Sequence, residues 1–444
     1  MNNRQVFDRR DWMRLAAGTA CGVATSPLSS VLANAAKQSG RHCVLLWMSG
    51  GPSQIDTFDM KPGHVNGGTI KPISTAVPGI AWSEHLPRLA KEAKSIAVIR
   101  GMSTKEGDHE RGTVLMRTGH VPGGAVVYPS MGASLSKSLT DSLGTEPLSL
   151  PSYVSISPGP FSRSATGPGF LGPKHAAMLV AAAGQQNDNP GQDAVQGFAQ
   201  LRVDFMRRSM EVDSGRYRSR IQFWQQMQAD FLKDRPNANV VAHDTVYQSA
   251  IRMMESEASE AFDLDAEPDS VRESYGRDSF GQGCLMARRL IERGVSMIEV
   301  NLGNGLGWDT HADNFTQVRR LSEQLDNGWS ALMSELRDRG LLERTTIVWA
   351  GEFGRTPKIN NNGGRDHFPQ AFSCVLAGGG IAGGQVYGAT SQDGSEVTDG
   401  KMDQQDLLAT LCQALGVNPS TEHMADGGRP IRIAEGDVID ELLS

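Results

Sequence analysis

Three regions of the chain gather side chains that could hold a metal ion or move a proton. The first is Trp308-Asp309-Thr310-His311-Ala312-Asp313. The second runs through Gly351-Glu352-Phe353-Gly354-Arg355-Thr356-Pro357 and, shortly after, Arg365-Asp366-His367-Phe368-Pro369. The third is Gly51-Pro52-Ser53-Gln54-Ile55-Asp56-Thr57-Phe58-Asp59. Carboxylate oxygens with imidazole nitrogens suit zinc or another borderline divalent ion, and they need no reduced thiol. Taken singly, an Asp-x-His is a common turn, and Asp56 is an ordinary loop or cap residue. Their shared position, each just beyond an apolar run, is what makes convergence the reading to test. Arg111 and Arg355 are candidates to clamp a tetrahedral anion through bidentate hydrogen bonds, with pairing to a surface carboxylate as the plainer alternative.

The elements that must position these residues alternate between strand and helix. Val44-Leu45-Leu46-Trp47-Met48 reads as a buried strand ending in Ser49-Gly50-Gly51. Leu86 to Ala93 reads as a short helix before a strand at Ile96 to Ile99. A helix ending at Met286 to Arg293 leads through Gly294 into a strand at Ser296 to Leu302. Val318, Leu321, Leu325, Trp329, Leu332 and Leu336 then mark one face of a long helix. Strands at Thr346 to Ala350 and Phe372 to Ala377 follow, and a last helix lies near Asp406 to Leu415. Continuous apolar strands separated by helices predict an α/β fold with a largely parallel sheet covered on both faces. Ligands in such sheets bind at the carboxyl ends of the strands. The segment from about 187 to 279 is rich in charged and amide residues and reads as a helical insertion or cap.

The chain has 444 residues, with 43 Lys+Arg against 50 Asp+Glu and a formal charge of −7, which argues against disorder and against nucleic-acid binding by net charge. Residues 1–35 read as a twin-arginine export signal, with Arg9-Arg10, a weakly apolar stretch from Leu15 to Val23, and Ala33-Asn34-Ala35 as a cleavage site. The twin-arginine translocase is then a partner during export, and the mature protein is expected in the periplasm or outside the cell. Cys21 sits in a poor context for lipidation. No later run reaches the roughly 18 apolar residues of a membrane span. Cys43, Cys284, Cys374 and Cys412 are scattered, without zinc-knuckle or Cys-x-x-Cys spacing, and read as small buried thiols.

Several stretches carry a family resemblance: Gly50 to Asp59, Gly351 to Pro357, Gly364-Arg365-Asp366-His367, and Ala377-Gly378-Gly379-Gly380-Ile381 with Gly383-Gly384. Leu86-Pro87-Arg88-Leu89, Gly169 to His175 and Gly428-Arg429-Pro430-Ile431 extend it over nearly the whole mature chain. Together they resemble the domain of unknown function 1501 (DUF1501) family, exported bacterial proteins of the alkaline phosphatase-like, or sulfatase-like, superfamily. The resemblance implies an alkaline phosphatase-like fold, with residues 36–444 as one domain. It implies one metal held by Asp309, His311 and His367, and a second ion near Asp56 and Glu352. Asp309 and His311 stand closer together than the superfamily's spacing, and Phe353 stands where a second ligand is expected. Sulfatase relatives carry a nucleophilic cysteine ahead of a Thr-Gly turn, but Asp108 to His120 contains none. His109 falls near that position, where a histidine serves as ligand, acid/base or phosphate acceptor.

These readings predict an exported metal-dependent hydrolase of phosphate or sulfate esters, acting on a small-molecule or polysaccharide-borne anion with one or two divalent ions, zinc being a candidate. The alternative is a noncatalytic metal- or ligand-binding protein that kept the scaffold and lost the nucleophile. A redox protein is disfavoured, since no Cys-x-x-Cys-His haem site and no dinucleotide glycine motif after the first strand is present.

Overall fold

His42–Met48 is buried at every position and forms the central strand. The computed structural model describes residues 40–142, 149–182, 197–203, 206, 212–234, 238–303 and 305–444. The main sheet comprises β1 (His42–Met48), β2 (Ile96–Met102), β3 (Tyr153–Ile156), β4 (Met178–Ala182), β5 (Leu201–Arg202), β6 (Met297–Leu302), β7 (Thr345–Ala350), β8 (Phe372–Gly378) and β9 (Gln385–Tyr387). Their spatial order is β9-β2-β8-β7-β1-β6-β3-β4-β5. β1 runs parallel to both neighbours, with Leu46 opposite Val300 of β6 and Trp349 of β7. The β6–β3, β3–β4 and β9–β2 pairs are also parallel. β8 is antiparallel to β7 and β2, and β5 is antiparallel to β4, so the sheet is mostly parallel.

Helices cover both faces. They are α1 (Leu89–Glu92), α2 (His109–Thr118), α3 (Met131–Ser142), α4 (Pro160–Ser164), α5 (Ser214–Asp234), α6 (Ala238–Glu255), α7 (Asp269–Tyr275), α8 (Ser279–Glu292), α9 (Asn314–Asp338) and α10 (Gln404–Ala414). Because strand side chains alternate, Val44, Leu46 and Met48 join a core with α8 and α9, while Cys43, Leu45 and Trp47 join one with α3 and α10. Every residue of the α9 stripe named from its spacing is buried, so Leu325→Ala would cost about 2–5 kcal/mol. α10 starts at a capping box between Asp403 and Asp406. The four expected buried cysteines are free, and burial pushes the Cys43 and Cys412 thiols up to about 12.

Two expectations shift. The helix expected from Leu86 begins only at Leu89, because Pro87 disfavours helical backbone at the residue before it. Its free amides at Arg88 and Leu89 donate to the buried Asp326 carboxylate of α9. Within the expected insertion, residues 201–202 add the edge strand β5 before the helices α5 to α7 begin. Residues 187–196 of that segment, the whole signal region and Cys21 lie outside the described residues. Among the described residues no helix is long and apolar enough to cross a membrane.

Candidate metal centre

The carboxyl ends of β1, β6 and β7 meet where the polar stretches begin. β6 leads to Asp309, β7 to Glu352 and Arg355, and β1 to Gly50. His109 starts α2, whose N-cap Asp108 accepts from the Arg111 amide at 3.0 Å. His367 lies in a two-residue antiparallel ribbon, opposite Arg355. Two glycines permit the approach of these loops. Gly50 has φ +109°, and a Cβ there would sit 2.5 Å from the Asp309 amide nitrogen; one on Gly364 would sit 2.0 Å from the His311 carbonyl carbon.

Asp309 Oδ1 is the hub. It lies 3.3 Å from His109 Nε2, 3.1 Å from His311 Nε2, 3.2 Å from His367 Nε2 and 2.6 Å from Arg355 Nη2. The opposite ring nitrogens are all engaged. His109 Nδ1 meets Glu352 Oε1 at 2.6 Å, His311 Nδ1 meets Asp366 Oδ1 at 2.8 Å, and His367 Nδ1 meets the Gly107 carbonyl at 2.7 Å. Ionised carboxylates and a carbonyl only accept, so each takes an Nδ1 proton and leaves Nε2 of a neutral ring as a lone pair. Those lone pairs face one carboxylate oxygen, and the His311 and His367 Nε2 atoms are 3.0 Å apart. Acceptors gathered this closely need a cation between them, whether a proton or a metal ion.

The electrostatics agree. Burial disfavours a charged His109 ring, but the flanking Asp309 and Glu352 carboxylates outweigh it and raise the pKa to about 9, so that without a metal ion the cation at Nε2 is a proton. Burial likewise opposes ionisation of Asp309, but the adjoining His109 and His367 rings and the charge of Arg355 hold its carboxyl well below the usual range. The donor set fits a divalent ion: the His109, Asp309 and His367 ligand atoms lie within 4.8 Å of one another. His109 Nε2, though 3.3 Å from Asp309, makes no well-aligned hydrogen bond, and the buried Glu352 Oε2 has no partner. Phe353 walls the centre, its ring centroid 5.0 Å from that of His109 and 4.7 Å from that of His367.

Asp309, His311 and His367 are thus brought together as expected from their positions after strands, and His109, for which a ligand role was one of the readings, lies beside them. Other placements differ. Asp56 is bound by Arg365 and does not reach the cluster. Glu352 turns Oε1 to His109 and to the Gly50 amide, so it supports a histidine. Arg111 is exposed and paired with Glu106 at 2.6 Å. Arg355 is fully buried; it donates to the Gly50 and Gly51 carbonyls and to Asp309, leaving it no face for an anionic substrate. Sequence reasoning missed Arg365 and Asp366 as supports, although both stand beside His367 in a stretch already singled out.

The chain thus combines a mostly parallel α/β sheet with a candidate N/O cation site at the carboxyl ends of its strands. The chain belongs to the family described as Protein of unknown function (DUF1501), whose model matches residues 40–443. No curated protein sequence matches it. Among solved structures it is similar to the PsFucS1 sulfatase from Pseudoalteromonas sp., with 13% identity, 88% of this chain and 70% of that chain covered, and a TM-score of 0.40. It is also similar to the lipoteichoic acid synthase LtaP from Listeria monocytogenes, with 10% identity, coverage of 90% and 76%, and a TM-score of 0.36. A TAB5 alkaline phosphatase mutant with Mg bound in its M3 site gives 11% identity, coverage of 85% and 99%, and a TM-score of 0.35. At these scores the reading of the site rests on its own geometry.

Proposed function

We propose that the protein is an exported metal-dependent hydrolase of phosphate or sulfate esters, with His109, Asp309 and His367 holding a divalent ion. The observation that carries this is the convergence of His109 Nε2 and His367 Nε2 on Asp309 Oδ1, with both Nδ1 atoms committed to acceptors. When bound, such an ion supplies Lewis-acid polarisation of the ester oxygen and charge stabilisation for the leaving group. Glu352 orients His109, the Gly107 carbonyl orients His367, and Arg355 fixes the Asp309 carboxylate.

His311 stands at the rim, 45% exposed, and is the histidine a water or an ester meets first. Its Nε2 accepts the proton of an attacking water, and Asp366 on Nδ1 steadies the resulting imidazolium. In this reading His311, expected from the resemblance to be a ligand, is given the acid/base role. The anion is then recognised by the ion and not by arginine, since Arg111 and Arg355 are otherwise engaged. The test is elemental analysis of purified protein, followed by a panel of phosphate and sulfate esters, including sulfated polysaccharide. Protein that retains its ion yet turns over none of them would favour the noncatalytic metal-binding alternative.

A further inference from the structure

The carboxylate expected to hold a second ion is already neutralised by the chain itself. Asp56 Oδ2 accepts hydrogen bonds from Ser53 Oγ at 2.6 Å, Arg365 Nε at 2.7 Å and Asn314 Nδ2 at 2.8 Å. Its Oδ1 accepts from Arg365 Nη2 at 3.0 Å. Both charged side chains are wholly buried. The other N–H groups of Arg365 go to the carbonyls of Thr356, Pro357 and Asn66. The guanidinium is therefore fixed on five acceptor atoms and has nowhere to swing.

A divalent ion on Asp56 would have to displace these donors and sit beside a fixed positive charge, in surroundings where like charges repel strongly. Removing either member of a buried pair strands the other, which costs far more than the pair itself contributes. The remaining groups offer one free oxygen and no ligand set: Phe353 has no donor atom, Glu352 Oε1 is taken by His109 and the Gly50 amide, and only Glu352 Oε2 is without a partner.

We propose that the Arg365 guanidinium takes the place of a second metal ion, so that the centre holds a single divalent cation. The inference rests on the reading that His109, Asp309 and His367 bind an ion. It gives the Asp56–Arg365 pair a positioning role. The Arg365 amide donates to the Thr310 carbonyl at 3.0 Å, and the Arg365 carbonyl accepts from Arg355 Nη1 at 3.3 Å. The pair thereby pins the loop bearing Asp309 to the loop bearing His367.

The test counts metal per chain by elemental analysis after loading with zinc or manganese and desalting. The proteins are the wild type, Asp309→Asn, Asp56→Asn and the double variant Asp56→Asn/Arg365→Gln, which keeps an uncharged amide pair should the single variant fail to fold. The expected result is about one equivalent in the wild type and in the folded Asp56 variants, and almost none in Asp309→Asn. In metal-free protein the melting temperature should fall for Asp56→Asn and recover partly in the double variant. Two equivalents in the wild type overturn this proposal while leaving the His109–Asp309–His367 centre standing. No metal in the wild type overturns both.

Discussion

Glu352 Oε1 lies 2.6 Å from His109 Nδ1, so a carboxylate at the end of β7 fixes a histidine at the start of α2, 243 residues earlier in the chain. The same oxygen accepts the Gly50 amide at 2.8 Å, which ties the turn after β1 into the contact. The ring of His109 is thus aimed by residues that need not touch an ion themselves.

That aim can be measured. Glu352→Gln keeps the volume but weakens the acceptor, and metal affinity should drop roughly 10–100-fold, the usual effect of losing a ligand's outer partner. Competition against a chelating dye reads the change directly, and near-unchanged affinity would remove Glu352 from the centre.

The inner and rim histidines should separate by phenotype. His367→Ala and His109→Ala are expected to lose bound metal while circular dichroism stays native. His311→Gln is expected to keep the ion and lose ester turnover, about 10²–10⁴-fold for a general acid/base group. Metal loss in His311→Gln would make it a ligand after all.

Acid should weaken the fold in part through His175. Burial, reinforced by the charges of Lys137 and Lys174, lowers its pKa to about 4. The folded state therefore keeps the ring neutral while the unfolded chain takes up a proton near 6.5. Stability from this group is present above about 6.5 and is lost as pH falls through about 4. The turn at Pro173–His175 packs against α6, so this contribution is lost at that contact. Urea midpoints between pH 7 and pH 4 should flatten in His175→Gln; an identical slope in that variant would assign the acid sensitivity elsewhere.

Limited proteolysis should cut α5 before any sheet segment, because none of residues 214–233 is buried. First cuts within β1, β6 or β7 would contradict this.

Export should depend on Arg9-Arg10. With both changed to lysine, precursor is expected to accumulate in the cytoplasm, and fractionation showing normal export would refute the signal.

The long apolar strands were legible because burial on both faces writes them as continuous runs: β1, β6, β7 and β8 all lie where such runs stand. β3 to β5 and β9 were not singled out, being short and without a marked run. The reversed direction of β8 was equally hidden, since an apolar run carries no sign of its orientation. In the site, Asp309, His311 and His367 could be read from position because polar residues after strands share one edge of the sheet. The partner of Asp56 could not. Which arginine meets which carboxylate across 309 residues is decided by loop packing, and the charges of Arg111, Arg355 and Arg365 look alike in a sequence.

The donors at positions 109, 309 and 367 come from three different parts of the sheet's connectivity. No early folding fragment contains them all, and no local hairpin or helix can preform the centre. If the proposed ion is bound, its uptake belongs after the long-range strand pairings that bring these donors together. The converse also follows. Release of a tightly held ion to a chelator should proceed at the rate at which α2 or the His367 ribbon opens, so exchange kinetics would report the sub-global breathing of this edge of the sheet.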